Sequence, residues 1–593
     1  MIEITRVFDL LQHIKEHHQK DDLFAGKKDG TWTKYNTNTF LQLVDSVSRG
    51  LIASGIQKND KVAIMSANRP EWNICDFGIM QTGATQVPMY PTLAETDIKF
   101  ILKDADVKIL FVSDQTLFDK INKVKVELTT DLKVYSFDKI PGVQNWQELV
   151  QIGNQHPDID LSNYRDQITP DDLLTLIYTS GTTGTPKGVM LTHNNLVSNV
   201  LASCVLYPPG FSKAISFLPL SHIFERMIIY MYLYLGVSIY YAESLDTLVA
   251  DINEVKPHGF TTVPRMLEKV YDRIVAKGAE LKGIKKKLFF WALNLGLKYE
   301  LNGENGWWYE IKLKIANKLI FNKWRAALGG QIMALVSGGA ALQPRLARVF
   351  WAAKIPVLEG YGLTETSPVI AVNGLGTGQM KFTTVGKLIK DVEVKIASDG
   401  EILCKGPNIM KGYYQRPDLT AQVIDQDGFF HTGDIGELVE GKYLRITDRK
   451  KEIFKTAGGK YVAPQILENK YKESKFIEQV MVLGENERFP SALIVPAFGA
   501  LKEWCTKTEI PYTTHAEMIK NPEIIAKIQL EIDHFNQGFG KWEQVKKFEL
   551  LDTEWSIDGG ELTPKLSLKR KVIFEKNKQL IEKIYKNSEH VEI

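Results

Sequence analysis

Short apolar runs alternate along most of the chain with longer stretches in which apolar and polar positions mix. KVAIMSA (61–67) reads as a strand, NRPEWNICDFGIMQTG (68–83) as a helix, and TQVPMY (85–90) and VKILFVSD (107–114) as further strands. That rhythm predicts parallel sheets with helices on their faces. Two more apolar runs, LLTLI (173–177) and IPVL (355–358), each lead straight into a glycine-containing stretch. An uncharged and strongly apolar stretch, Met227 to Ala242, follows directly on Glu225 and Arg226. It falls short of the about 20 apolar residues a bilayer span needs, so it predicts a buried helix and strand. Residues 284–327 stand apart as helical, basic and rich in aromatics. Near residue 446 the pattern changes again. TDRKKEIFK (447–455) is dense in charge, and a smaller α+β-like region follows to a basic C-terminus. No internal repeat or low-complexity tract is visible, which argues against solenoids and propellers.

Composition narrows this further. At 593 residues, with 44% hydrophobic and 24% charged, the chain matches an ordinary globular protein with room for more than one domain. Lys and Arg (73) nearly balance Asp and Glu (71), so no global charge points to nucleic acid. Cys75, Cys204, Cys404 and Cys505 lie far apart, form no CxxC pair and suit a reducing compartment. The first residues, MIEITRVFDLLQHIKEHH, carry charge throughout and do not read as a secretory signal. These features predict a cytoplasmic protein, with peripheral contact at the inner face of a membrane left open.

The chemistry concentrates in four places. Thr179-Ser180-Gly181-Thr182-Thr183-Gly184-Thr185-Pro186-Lys187-Gly188 follows one apolar run and precedes THNNLVSNVLASC, which opens like a capped helix. A loop at the carboxyl end of a strand is where open α/β sheets hold ligands. Its glycines let several N–H groups converge on an anion, its hydroxyls add donors, and Lys187 adds a mobile charge. That combination suits a polyphosphate. It is not a Walker A loop, because GxxxxGK[ST] is absent.

The second place is Leu358-Glu359-Gly360-Tyr361-Gly362-Leu363-Thr364-Glu365-Thr366. Tyr361 offers a flat face for a purine, and Glu365 is a hard oxygen ligand suited to Mg²⁺. Just upstream, Ser337-Gly338-Gly339-Ala340-Ala341 supplies small residues against which a base can lie. Third, Phe430-His431-Thr432-Gly433-Asp434 places in a turn a carboxylate able to accept both hydroxyl protons of a ribose. Fourth, Arg449 follows Asp448 and can grip ribose or phosphate oxygens in bidentate fashion.

That set, in that order, resembles the acyl-adenylate-forming superfamily of acyl-CoA synthetases, luciferases and adenylation domains, and most of all its long-chain fatty acyl-CoA synthetases. The resemblance runs from SANRPEW (66–72) to TPKLSLKRK (563–571). Its narrower part rests on VPMYPT (87–92), VPRMLEKVY (263–271), the insert 284–327 and KTAGGKYVAP (455–464). It implies an α/β fold: a large N-terminal domain of parallel-rich sheets flanked by helices (1–446), a hinge (447–451) and a small mobile α+β domain (452–593). It implies ATP, Mg²⁺ and coenzyme A, and a fatty acid made first into an acyl-adenylate and then into a thioester.

By the same resemblance, the 179–188 loop holds the ATP phosphates, with Thr179 and Glu365 on the Mg²⁺ side. Gly338, Gly339, Ala340, Glu359, Gly360 and Tyr361 surround adenine, Thr364 lies near phosphate, and Asp434 and Arg449 hold the ribose. His222, in LPLSHIF (218–224), positions the acyl carboxylate. Lys451 is the hinge, and Gly458, Gly459 and Lys460 line the pantetheine entry.

Two positions depart from the pattern. The run expected as TP-x-L-K-x-K-R reads Thr563-Pro564-Lys565-Leu566-Ser567-Leu568-Lys569-Arg570, with Ser567 where the first-step lysine belongs. If the stretch is extended, Lys565, Ser567 and Lys569 share a face, and Lys565 or Lys569 does the work. Leu267 stands where some long-chain enzymes carry a tryptophan gate. Alternatives remain: a ligase that loads a carrier protein or activates an aromatic acid, or a silent binder of lipid and nucleotide. The 284–327 segment fits either a core or an interfacial surface, and monomer and homodimer both stay open.

Overall fold

The computed structural model describes residues 3–128, 132–179, 186–557, 559–563 and 566–586. The chain divides into two compact units, one of residues 1–395, 403–431 and 440–444, the other of 396–402, 432–439 and 445–593.

In the first unit, alternating burial builds two large sheets. The eight-stranded sheet runs Gly412–Tyr413, Lys187–Thr192, Leu173–Thr179, Thr85–Met89, Lys61–Met65, Val107–Val112, Lys133–Ser136 and Gln144–Asn145. From Leu173–Thr179 onward its neighbours are parallel. Val62 and Ile64 enter one core while Ala63 and Met65 enter another, as the two-residue period of a strand requires. Both faces are therefore covered, which is why VAIM (62–65) reads as an unbroken apolar run. The intervening helix spans Pro70–Met80, shorter than the sequence suggested, because Arg69 is extended and Pro70 supplies the first turn.

The nine-stranded sheet runs Lys387–Leu388, Val369–Val372, Val357–Gly362, Ala334–Ser337, Gly259–Thr262, Lys213–Ser216, Ser238–Tyr241, Phe24–Lys28 and Thr31–Tyr35. Its central strands are parallel and its two ends antiparallel. Residues of both sheets, Ile64 and Ile177 with Ile239 and Tyr241, share one core with the Ile223–Leu235 helix. The uncharged stretch from Met227 is thus a buried helix ending at Gly236 in the left-handed region, followed by the Ser238–Tyr241 strand. Among the described residues no helix is long and apolar enough to cross a membrane.

In the second unit, Ile477–Leu483, Ser491–Pro496 and Lys547–Leu550 form a small sheet. Its residues share a core with Leu467 of the Pro464–Tyr471 helix and with Ile524, Ile528 and Ile532 of the Pro522–Asn536 helix. The mixed arrangement of the large unit and the separate C-terminal region agree with the α/β class expected from the sequence.

Candidate active site

In the first unit, Leu173–Thr179 and Lys187–Thr192 are the two strands of a hairpin in which Thr179 lies opposite Lys187. Ser180, Gly181, Thr182, Thr183 and Gly184 lie outside the described residues. The helix His193–Cys204 follows, with a reciprocal cap: the Thr192 hydroxyl accepts from Asn195 N–H, and Asn195 accepts from Thr192 N–H.

The 179–188 motif meets the 358–366 motif through Tyr413, a residue the sequence reading did not single out. The Lys187 ammonium lies 5.2 Å from the centre of the Tyr413 ring. The Tyr413 hydroxyl donates to Glu365 Oε1 at 3.0 Å across 48 residues of sequence. Backbone pairing sets this up, since Gly412 and Tyr413 pair with Met190 and Val189, and Met410 N–H donates to the Glu365 carbonyl. Burial and the Glu365 carboxylate hold the Tyr413 phenol far above its ordinary pKa, so it stays a donor at neutral pH. Only the Lys-Tyr-Glu combination of distant motifs would have signalled it, and strand pairing is needed to see it.

At the carboxyl ends of three parallel strands, Thr262, Ser337 and Glu359 stand side by side in register. The Thr262 and Ser337 hydroxyls are buried and have no hydrogen-bond partner among the described residues. Orphaned hydroxyls at strand ends are what a polar ligand would satisfy. Glu359 Oε1 accepts from Leu342 N–H at 2.9 Å, while burial pushes its carboxyl up to about 7. Gly338 closes the row: a Cβ there would sit 3.2 Å from the Phe224 ring. Gly339, at φ +82°, and Ala340 form an exposed bend just beyond. Gly360 and Tyr361 continue the strand beyond Glu359, and Thr364 is buried in the short turn Thr364–Thr366.

His222 caps the Ile223–Leu235 helix, its Nδ1 accepting from Phe224 N–H at 3.1 Å. That bond leaves the proton of the neutral ring on Nε2, as a donor. One turn on, Glu225 is buried and accepts from Ser216 Oγ at 2.5 Å and from the Thr261 hydroxyl, tying the helix to two strands. Burial raises its carboxyl to about 7, with the two hydroxyls holding it back. A raised carboxyl stabilises the fold fully below its unfolded value and loses that contribution as pH rises through about 7. Glu225→Gln is therefore expected to gain about 2–3 kcal/mol relative to wild type between pH 5 and pH 8. Urea denaturation of both proteins at the two pH values checks this; a pH-independent difference refutes it.

In the second unit, Asp434 is buried on the Phe430–Val439 strand, and Arg449 reaches it at 3.3 Å. Gly433 N–H donates to Glu401, Lys450 N–H donates to the Gly433 carbonyl, and the Lys450 ammonium pairs with Asp399 and Glu401 at 2.7 Å each. Gly433 sits at φ +73° within this strand just before Asp434, a backbone value that suits glycine. Asp448 accepts from Arg449 and Gln465 N–H groups, yet burial lifts it to about 7.

Lys451 is exposed just after the Tyr443–Arg449 strand. Gly458 and Gly459 form the turn between Phe454–Lys455 and Tyr461–Val462, and the Lys460 ammonium lies 5.5 Å from the Trp542 ring centre. Lys565 lies outside the described residues. The stretch around Ser567 is folded back rather than extended. Leu562 bridges Leu568, Thr563 N–H donates to the Ser567 carbonyl, and Leu566 turns at φ +63°. Strand alternation therefore does not run through Leu566 to Lys569. Lys569 is exposed, and Arg570 beside it is anchored on Glu452 and Glu468.

Among the described residues no three or more Asp, Glu, His or Cys side chains cluster as a metal site. A Mg²⁺ held here through Glu365 would keep water and phosphate oxygens as its remaining ligands, which is that ion's usual habit.

This architecture recurs in solved structures. The adenylation domain of a carboxylate reductase from Mycobacterium chelonae superposes with a TM-score of 0.75 at 21% identity, over 98% of this chain and 91% of that one. An anthranilate CoA ligase in complex with anthranoyl-AMP gives 0.73 at 17%, over 97% and 98%. These define the class by fold alone. Sequence goes further: the AMP-binding enzyme family matches residues 11–414, and its C-terminal domain matches 452–589. A long-chain-fatty-acid–CoA ligase of Mycobacterium bovis is 33% identical over 96% of both chains. The peroxisomal long chain acyl-CoA synthetase 7 of Arabidopsis thaliana is 32% identical over 96% of this chain and 84% of its own. The chain belongs to the AMP-binding enzyme family, and within it to the adenylate-forming acyl-CoA synthetases.

Proposed function

We propose that the protein activates a long-chain fatty acid with ATP and transfers the acyl group to coenzyme A. The observation that carries this is the Lys187–Tyr413–Glu365 link, which puts a cation and an acid of two separate motifs at one end of the eight-stranded sheet. Relatives named as long-chain ligases, matched over nearly the whole chain, support the fatty acid as the substrate class.

In the first half-reaction a carboxylate oxygen bonds to the α-phosphorus of ATP and the bond to pyrophosphate breaks. Positioning and charge neutralisation carry such a step. His222 Nε2–H donates to the carboxylate, and Lys187 offsets charge on the phosphates. Thr179 and Glu365 would hold Mg²⁺, which when bound supplies charge neutralisation at the phosphates. Glu359, Ser337 and Thr262 offer polar partners to the base, and Asp434 accepts from the ribose hydroxyls. In the second half-reaction the sulfur of coenzyme A bonds to the acyl carbon, AMP leaves, and the thiol proton is released. For this step we assign Lys451 as the hinge and Gly458, Gly459 and Lys460 as the pantetheine entry.

Mass spectrometry of products from MgATP and palmitate, with and without coenzyme A, tests the reading. Palmitoyl-CoA with AMP is the expected outcome. Adenylate that ignores coenzyme A would transfer the protein to the carrier-protein ligases, and no product across several acids would make it a binder. The same assay on Lys565→Ala and Lys569→Ala identifies the first-step lysine: one variant is expected to lose adenylate formation by about 100-fold. Unchanged rates in both would exclude both.

A further inference from the structure

The helix Trp307–Ala316 and the π turn Asn317–Phe321 that extends it bury one side and expose the other. Leu313, Ala316, Ile320, Phe321 and Trp324 go into the core of the first unit. On the opposite side Trp307, Ile311, Ile315 and Leu319 follow one another at four-residue spacing, all exposed. The π turn rotates less per residue than an α-helix, which keeps Leu319 in line with the others. Trp308 stands beside this row, its ring stacked on Trp307 with centroids 4.0 Å apart, and the two rings are 62% and 64% exposed.

A core was one of two open readings for this segment, and its buried side is indeed core. The exposed side is the unusual part. Single exposed apolar residues are ordinary, but a contiguous row with two tryptophans marks an interaction surface. Its edges say which kind. By the same four-residue spacing Lys312 flanks the row on one side, Lys314 and Lys318 flank it on the other, and Lys323 lies at its end. All four are exposed, and none forms an ion pair among the described residues. A second copy placed face to face would set lysines against lysines or against the apolar row. Anionic headgroups would meet the lysines while the rings and aliphatic chains enter the layer beneath.

We infer that Trp307, Trp308, Ile311, Ile315 and Leu319, framed by these lysines, dock the protein peripherally on an anionic lipid bilayer. The surface is argued from the helix alone and is independent of the ligase reading. A protein that binds vesicles without making palmitoyl-CoA would keep this inference and lose that reading.

Flotation with vesicles of phosphatidylcholine, with and without about one third phosphatidylglycerol, tests it. Wild type is expected to float with the anionic vesicles, with blue-shifted tryptophan emission, and to be released by salt. Trp307→Ala with Trp308→Ala, and separately Lys312→Glu with Lys318→Glu and Lys323→Glu, are each expected to weaken the partition by about 10-fold or more. The circular dichroism spectrum and melting temperature of each variant confirm folding, since all these side chains are exposed. Failure of wild type to float, or equal flotation of folded variants, overturns the inference. So does a wild-type dimer in gel filtration that the tryptophan variant dissolves while neither protein binds vesicles.

Discussion

Asp76→Ala is expected to lower the unfolding free energy by about 3–5 kcal/mol, because it strands a buried guanidinium. Asp76 and Arg226 are both 0% exposed and approach to 2.5 Å. Arg226 also donates to Thr175 Oγ1 at 2.7 Å and to the Tyr230 hydroxyl at 2.6 Å, and that hydroxyl donates to Asp76. The cluster joins the Pro70–Met80 helix, the Leu173–Thr179 strand and the first turn of the helix that His222 caps. Each lost partner leaves a charge or hydroxyl with no water to replace it. Denaturant titration reads the loss directly. Replacing both charges with apolar residues, Asp76→Leu with Arg226→Met, is expected to recover most of it. The Tyr230 and Thr175 hydroxyls, each short of a partner, keep that recovery incomplete. A single variant within about 1 kcal/mol of wild type would mean that water reaches the cluster.

Glu365→Gln is expected to slow pyrophosphate release by about 100- to 1000-fold, a barrier increase of about 3–4 kcal/mol, while leaving the fold intact. The amide keeps the shape of the side chain and still accepts from the Tyr413 hydroxyl, 3.0 Å away in wild type. It lacks the negative charge that a hard divalent cation requires. A metal-holding role predicts two further signs: the melting temperature stays near that of wild type, and raising Mg²⁺ recovers part of the rate. Retention of the rate within about 3-fold would remove Glu365 from the chemistry. A loss that Mg²⁺ leaves untouched would make it a positioning residue for Tyr413 and Lys187.

Much of this protein is legible in its sequence, for local reasons. The strands at 61–65, 85–89 and 107–112 are short, mostly apolar segments buried on both faces over most of their length, which no other element explains as simply. The Thr192 cap follows from residue type and spacing alone. The motif order also sufficed to recognise the family, because each motif is a contiguous stretch.

Tertiary structure decided what depends on residues distant in sequence. Tyr413 joins Glu365 only because its short strand pairs with Val189 and Met190. Asp76 finds Arg226 across 150 residues, and Thr262 and Ser337 become neighbours only through strand register. The turn at Leu566 replaced an extended reading, since alternation holds only where backbone dihedrals stay in the strand region. Composition likewise left 284–327 undecided between core and surface. A helix can be both, and only packing reveals that Phe321 and Trp324 are covered while Trp307 and Trp308 face outward. Sequence fixes local propensity and chemical type; contact between distant positions is a property of the folded chain as a whole.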